Sequence, residues 1–253
     1  MKMPLFVRAA RAANVERVNA SAFARRCERG SLDAQDVACI LAFQVRASRG
    51  FVPFLEALAE RSPAGPVRSA LLENLFEERN AAPCPHSEWA AKTHLAILDA
   101  LGISESERRE AAHSVAPFAD AYLARLDELL SPKLTPIEAA AAFALAVEDA
   151  VPSLYKALIA GLSCMPGVRS GDLAFFEAHV TCDVDHALRI LVACFASSKD
   201  ATLGEPTSLR WRSTLDCASN ILRTRVESLD AILAAPRTTS GALTRIQGQE
   251  AVQ

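Results

Sequence analysis

Apolar residues recur every three or four positions through most of the chain, and no long stretch alternates between apolar and polar residues. This spacing is typical of amphipathic helices and argues against strands. Prolines, glycines and helix-capping residues divide the pattern into segments with short connections. We therefore predict helices over residues 15–28, 31–61 (interrupted near 49–50), 66–79, 85–101, 104–130 (with a kink at 117), 135–162, 173–197 and 208–234.

The start of the sixth predicted helix carries the strongest capping signal. Thr135 is followed by Pro136 at the first helical position and by Glu138 at the third, which is the pattern of a capping box. Short connections between helices predict an all-α protein, a single bundle of seven to eight helices. The expected organisation is an N-terminal extension over 1–14, a helical domain over 15–235 and a mobile C-terminal tail over 236–253.

Composition excludes several classes of protein. Hydrophobic residues make up 51% of the chain and charged residues 23%, so collagen-like and disordered chains are excluded. Lys and Arg number 27 against 30 Asp and Glu, a net charge of −3. This balance provides no broad basic surface for nucleic acid or anionic lipid, and we expect neither as a partner.

The cysteines indicate the compartment. There are seven, an odd number, and no two form a Cys-x-x-Cys pair. This excludes a thiolate zinc site and a regular disulfide framework, and favours the reducing cytoplasm. The first residues lack the apolar core of a signal peptide, and no 18-residue apolar run is free of charge and proline. We expect a cytoplasmic protein without a membrane span.

The seventh predicted helix contains the most informative residues. At about 100° per residue, His179, Asp183 and His186 share an arc of about 60° across two turns. The rest of that stripe is apolar, with Phe175 before the triplet and Ile190 after it. Buried imidazoles and a buried carboxylate are costly without partners. A metal ion or a His–Asp–His hydrogen-bond cluster would satisfy them, and the triplet alone favours neither.

The sixth predicted helix places one acid on its apolar face. Glu148 shares that face with Leu145 and Val151, whereas Asp149 points elsewhere and is expected to be solvated. Pro152 lies one turn beyond Glu148, removes one backbone hydrogen bond and is expected to kink the helix. Glu148 would either bind a metal or form a buried ion pair with an arginine.

The third predicted helix and the start of the fourth offer a further acid and an imidazole. Glu78 continues an apolar stripe that includes Leu75, whereas Glu77 lies on another side with Asn74. The helix facing therefore selects Glu78 as the inward acid. His86 follows at the start of the next helix. Solvated acids at a helix end and a histidine without a ligand role are the alternatives for these two positions.

Together these positions form an inward-facing set of three carboxylates and three imidazoles. Such donors suit two iron or manganese ions, because oxygen ligands prefer hard cations and imidazole prefers borderline ones. His94, two turns past His86, is a second histidine that could support the site or replace a ligand, and His113 is left over. The candidate metal ligands are Glu78, His86, Glu148, His179, Asp183 and His186.

The arrangement resembles the haem-oxygenase-like diiron oxidases, also called iron-containing redox enzymes, over about residues 20–235. The most specific element is His179-x-x-x-Asp183-x-x-His186, which is similar to the His-x3-Asp-x2-His pattern on a late helix of that family. The family also has a glutamate about thirty residues before the first of these histidines, and Glu148 occupies the corresponding position.

A second motif lies at the end of the third predicted helix. Asn74-Leu-Phe-Glu77-Glu78-Arg-Asn80 followed by His86 is similar to the family segment Asn-x-x-[Asp/Glu]-Glu-x-Gly and its downstream histidine. The match assigns Glu78 and His86 as ligands. The sequence departs from the family at Asn80, which replaces the usual glycine, and in a short loop that leaves the register of His86 open.

The resemblance implies a fold like that of haem oxygenase, two Fe(II) ions per chain and O2 as co-substrate. Family chemistry includes N-oxygenation of amines and guanidines, oxidative C–C or C–N cleavage of amino acids or fatty-acid-like substrates, and oxidation of the protein's own side chains, often in specialised metabolism. Tyr155, two turns from Glu148 on the same face, is the candidate catalytic residue, and an ordinary core tyrosine is the alternative. The implied ligands are Glu78, His86 and His186 for one iron, and Glu148, His179 and Asp183 for the other.

Two other functions remain open. One is a metal-free oxidase or a thiamin-salvage hydrolase of the same fold, and the hydrolase needs a catalytic cysteine, for which Cys182 and Cys194 are the nearest to the ligand helix. The other is a helical interaction protein, which requires a large exposed apolar patch. Gln44 and Arg46 are candidates to reach a small-molecule substrate, and a homodimer through the exposed side of the bundle is left open.

Overall fold

The computed structural model describes residues 3–80, 84–197 and 209–236, and none of these residues forms a strand. They fold into one all-α domain, as predicted. One hydrophobic core connects nearly all of the helices. The helices are α1 Leu5–Asn19, α2 Ala22–Glu28, α3 Ala34–Arg49, α4 Phe51–Arg61, α5 Pro66–Asn80, α6 His86–Ala100, α7 Glu105–Asp127, α8 Pro136–Phe143, α9 Val151–Ser163, α10 Ala174–Ser197 and α11 Leu209–Ala234.

Capping side chains start the helices where the sequence predicts. Thr135 accepts from the backbone N–H of Glu138, and the Glu138 carboxylate accepts from the backbone N–H of Thr135. Asp33 and Ser104 form the same reciprocal boxes at the starts of α3 and α7. The predicted interruption near Gly50 separates α3 from α4. Helix α7 runs on through Pro117.

The N-terminal helix begins ten residues earlier than predicted. Helix α1 starts at Leu5, and its Val7 is fully buried in the common core. The predicted single helix over 15–28 is also wrong, because Ser21 caps a separate helix, α2, by accepting from the backbone N–H of Ala24. Residues 5–14, expected to form an extension, are therefore part of the packed bundle.

The sixth predicted helix is divided at its centre. A π-helical segment, Ala144–Glu148, follows α8, and the backbone N–H of Asp149 donates to the carbonyl of Ala144 at 2.9 Å. Helix α9 then starts with Pro152 in its first turn. Proline has no N–H for the carbonyl four residues earlier, which is that of Glu148. The break predicted at Pro152 therefore falls beside Glu148.

One stretch, Ala34–Arg61, is long and apolar enough to cross a membrane by length and composition alone, with a mean hydropathy of 1.2. In this fold it is two helices, α3 and α4, whose Leu41 and Leu58 are fully buried in the core. Core helices of globular proteins pass the same test. Apart from Pro236, the predicted C-terminal tail lies outside the described residues.

Candidate metal centre

The six predicted ligand residues come from four segments that meet in the interior. Helix α5 carries Glu78, α6 begins with His86, the π segment ends with Glu148, and α10 carries the remaining three. Helix α10 packs against α5, α6, α9 and the π segment, so it lies between all the others. The helices thus bring the six side chains into two adjoining groups of three.

The first group contains Glu78, His86 and His179, whose ligand-type atoms all lie within 4.8 Å of one another. The centroids of the two imidazole rings are 4.5 Å apart. His86 donates through Nδ1 to Glu78 Oε1 at 2.9 Å. His179 donates through Nδ1 to the carbonyl of Phe175 at 2.8 Å, which leaves Nε2 of His179 without its proton and able to bind a cation.

The second group contains Glu148, Asp183 and His186, again within 4.8 Å of one another, and all three are buried. His186 Nδ1 lies 3.6 Å from Glu148 Oε2 and 3.7 Å from Asp183 Oδ1. These distances are too long for hydrogen bonds, and the buried Nδ1 atom has no hydrogen-bond partner among the described residues. A buried imidazole nitrogen that faces two carboxylates without a hydrogen bond is what a site built for a cation requires.

The pairing implied by the family resemblance differs from these groups at both histidines of α10, which exchange places. It placed His186 with Glu78 and His86, but His179 occupies that position. The two histidines are seven residues apart, about 10 Å along the helix axis, so only one of them reaches each group. His179 and Asp183 also lie within 4.8 Å of each other, together with Cys182, and therefore connect the two groups.

The helix-facing argument also missed two supporting side chains on α5. It placed Asn74 and Glu77 away from the core, yet Asn74 is buried and donates through Nδ2 to Glu148 Oε1 at 2.7 Å. His186 Nε2 donates to Glu77 Oε2 at 2.6 Å. Arg189 holds the same carboxylate from the solvent side at 2.7 Å. The signal was present in the family-like segment that contains Asn74 and Glu77.

Burial and neighbouring charges shift the ionisation of the cluster. Burial lowers the pKa of His179 to about 4, so its imidazole is neutral. Burial alone would lower the pKa of His186, but the carboxylates of Glu148 and Glu77 outweigh it and raise the pKa to about 9. Burial and the charge of Glu148 raise the pKa of Asp183 well above its ordinary value. The hydrogen bond from Arg189 lowers the pKa of Glu77 to about 2.

A cavity that is open to solvent adjoins both groups, and its volume is about 750 Å³ when part of the open solvent is included. Tyr155 lines it, and its ring centroid is 6.0 Å from that of His179. Gln44 lines it too, as expected for a residue that reaches substrate. Arg46 does not, because it forms a surface ion pair with Asp120.

Sequence reasoning missed a buried arginine on the cavity wall. Arg225 of α11 lines the cavity beside Tyr122. The signal was a single charge within the apolar stripe of Ile221, Leu222 and Leu229, the same pattern that identified Glu148.

Other polar residues near the site have structural partners instead. Asp149, expected to be solvated, is buried and forms an ion pair with Arg11 at 2.6 Å. His94 is buried and its ring stacks on Phe176 at 5.7 Å, outside both groups. His113 is exposed. Asp149 is therefore paired with α1 and belongs to neither group of candidate ligands.

Comparisons with known proteins concern the fold and the family of the chain. A TenA homolog from Pseudomonas syringae pv. tomato str. DC3000 superposes with a TM-score of 0.68, over 92% of this chain and 94% of that one. The two sequences are 13% identical, so the likeness concerns the fold alone. A search of curated proteins finds no match. The model of the iron-containing redox enzyme family matches residues 44–205, well over half of the chain, and the chain therefore belongs to that family.

Proposed function

We propose that the chain is a non-haem diiron oxidase or oxygenase that uses O2 to oxidise a small metabolite. The observation that carries the proposal is the convergence of two three-residue groups beside one cavity, which five of the six residues line. In one of them, the unpartnered nitrogen of His186 faces two carboxylates. Membership of the chain in the iron-containing redox enzyme family supports the same conclusion.

The residues present fit two iron ions. Each group combines carboxylate oxygens with imidazole, the donor set that suits iron or manganese, and three carboxylates balance most of the charge of two divalent cations. Bound iron would supply Lewis acidity and the electrons for reducing O2. In this proposal Glu78, His86 and His179 hold one ion, and Glu148, Asp183 and His186 hold the other.

The chain itself orients these groups. The Phe175 carbonyl fixes the ring of His179, the Glu77 carboxylate fixes that of His186, and the Asn74 amide fixes Glu148. Such partners set the tautomer and direction of ligand side chains and raise their affinity for a metal. The candidate ligand side chains are therefore preorganised in the metal-free chain.

Tyr155 contributes a proton donor to the cavity in this proposal. Burial raises the pKa of its phenol, so Oη keeps its proton at neutral pH and can donate a hydrogen bond to an oxygen acceptor. Around it the lining is largely apolar, including Phe51, Val52 and Leu126. These walls limit the access of water and leave space for a small, partly apolar substrate.

A thiamin-salvage hydrolase of the same fold is less well supported. That chemistry requires a reactive cysteine, and the cavity-lining residues that the structure describes include none. Of the two thiols on α10, Cys194 is buried and Cys182 is partly buried, and burial raises the pKa of both. A thiol with a raised pKa is a poor nucleophile at neutral pH.

The test is metal loading. The metal-free chain is titrated with Fe(II) under anaerobic conditions, the bound iron is measured per chain, and O2 is then admitted while the visible spectrum is recorded. About two irons per chain and an absorption that forms and decays on exposure to O2 are expected from the two donor groups. Absence of iron binding, with an activity that chelators do not change, would contradict the proposal.

A single substitution tests the assignment of His186. His186→Ala removes one ligand from the second group and should lose at least one iron while the helical circular dichroism stays unchanged. His113→Ala is the matched control, because that histidine is exposed and belongs to neither group. Normal iron content in His186→Ala would show that His186 is not a ligand.

The cytoplasmic location and the role in specialised metabolism remain predictions.

A further inference from the structure

Arg225 is a buried cation on the cavity wall. Only 5% of the residue is exposed, and it lines the same cavity as Glu148 and Asp183. Its Nη2 donates to Gln44 Oε1 at 3.0 Å, and its guanidinium carbon lies 5.4 Å from the ring centroid of Tyr122. Both partners are neutral, so they position the guanidinium without neutralising its charge.

Among the described residues, no carboxylate forms an ion pair with Arg225, and none accepts a hydrogen bond from its buried Nε. Arg11, Arg26 and Arg189 are more exposed than Arg225, and each contacts a carboxylate. An uncompensated buried charge is costly to the folded protein. Its retention in a cavity is explained if a bound anion supplies the missing partner.

We infer that Arg225 binds a carboxylate of the substrate, so that the oxidised molecule is a small organic acid. The planar guanidinium matches a carboxylate in a two-pronged hydrogen bond. Phe51, Val52 and Leu126 in the same cavity would contact the hydrocarbon part. The oxidation of this acid rests on the proposed function, whereas its binding by Arg225 does not.

The lining favours a carboxylate over a phosphate. Among the described lining residues Arg225 is the only lysine or arginine, and a single positive charge balances a carboxylate but not a phosphate dianion. The acids of the metal centre, Glu78, Glu148 and Asp183, line the same cavity and would repel the second negative charge.

Binding of simple acids tests the inference without any turnover. Butanoate, hexanoate and octanoate, each beside its primary amide, are titrated calorimetrically into the full chain in its metal-free form and after loading with Mn(II). In both forms at least one acid should bind about tenfold to a hundredfold more tightly than its amide, because a hydrogen-bonded charge pair replaces a neutral contact. Arg225→Gln should abolish that preference.

Two variants serve as controls. Arg46→Gln removes an arginine of α3 that lies at the surface, and should bind the acids as the unmodified chain does. Arg225→Lys keeps the positive charge but not the planar pair of N–H donors, and should retain part of the preference for acids over amides. This variant also tests the inference if Arg225→Gln fails to fold.

Equal affinity for acids and amides, or unchanged binding of acids by a folded Arg225→Gln, would overturn the inference. Tighter binding of hexyl phosphate than of every carboxylate would overturn the assignment of the anion. Failure of the chain to bind Mn(II) or Fe(II) would contradict the proposed function instead, because the metal-free titration still measures Arg225.

Discussion

At the scale of single residues, the metal-binding groups are held by partners that a helical projection does not identify. A projection assigns each residue one direction, and it placed Glu77 away from the core. The Glu77 side chain is 38% exposed, yet its flexible stem brings one carboxylate oxygen to His186. Long polar side chains reach around a helix in this way. The inward direction of Glu78 and Glu148 was predictable, and the contacts of Glu77 required coordinates.

Glu77 is therefore expected to position His186. Glu77→Ala removes the acceptor of the 2.6 Å hydrogen bond from Nε2, so that the ring is no longer fixed with Nδ1 toward Glu148. Loss of such a partner typically weakens metal binding by about tenfold to a hundredfold. The measurement is a competition titration of Mn(II) against a chelator.

Glu73→Ala is the matched control, since Glu73 also contacts Arg189, at 3.0 Å, but not His186. Glu77→Gln keeps an acceptor oxygen and should restore part of the affinity. If Glu73→Ala weakens Mn(II) binding as much as Glu77→Ala does, the role of Glu77 is only to neutralise Arg189.

His94 is expected to make the free energy of unfolding depend on pH. Burial lowers its pKa from 6.5 to about 4, and neither ring nitrogen has a partner among the described residues. The unfolded chain therefore takes up a proton below about pH 6.5, whereas the folded chain does not until about pH 4. Stability is lost across that window as the pH falls, by about 2 kcal/mol at about pH 5.

His94→Phe removes this pH-dependent contribution to the free energy of unfolding and keeps an aromatic ring against Phe176. Urea unfolding of the metal-free chain at neutral pH and at about pH 5 should show the variant gaining about 2 kcal/mol relative to the unmodified chain as the pH falls. His179, whose pKa is also about 4, contributes equally to both proteins and cancels. His113→Phe should show no such gain, and an equal difference at both pH values would refute the prediction.

At the scale of helices, the break beside Glu148 is supported by α1. Asn14 donates through Nδ2 to the carbonyl of Leu145 at 2.9 Å, and Arg11 pairs with Asp149. These contacts satisfy polar groups that the π segment leaves outside the regular helical pattern. Pro152 allowed this break in the helix to be predicted from the sequence. The partner helix could not be predicted, because its contacts join positions more than 130 residues apart.

The crossing of α9 over α2 depends on a glycine. A Cβ atom at Gly161 would lie 3.1 Å from the Cα of Cys27 and 2.9 Å from a methyl carbon of Leu32, so the helices would have to separate. Gly161→Ala should lower the free energy of unfolding by about 1–3 kcal/mol, despite the better helix propensity of alanine. Urea unfolding measures the change.

Gly171→Ala is the matched control, because a Cβ atom there has nothing within 4 Å and the backbone needs no positive φ. That variant should be as stable as the unmodified chain. Equal stability of the two glycine variants would mean that α2 and α9 tolerate a wider separation than their contact implies.

At the scale of the whole molecule, the fold was predictable and the grouping of the ligands was not. Helix periodicity and caps such as Thr135 are local, and they placed most helix ends within a few residues. The grouping depends on the position of α10 along its axis relative to α5 and α6. That position decides whether His179 or His186 lies beside His86. It is set by side-chain packing between helices, which the spacing along one helix does not contain.

The same assembly encloses three carboxylates and three imidazoles in its interior, and this couples metal binding to the stability of the bundle. The unfolded chain disperses these groups, so a cation binds the folded state far more tightly. Mn(II) at about a hundred times its dissociation constant should add about 2.7 kcal/mol per site, and a chelator should reverse the gain. Thermal unfolding of the full chain measures this gain in stability.

Ca(II) at equal concentration should add much less stability, because imidazole suits manganese better than calcium. His186→Ala should keep only part of the gain from Mn(II), and a gain as large with Ca(II) would show that the interior acids bind any divalent cation rather than forming a site for a redox metal.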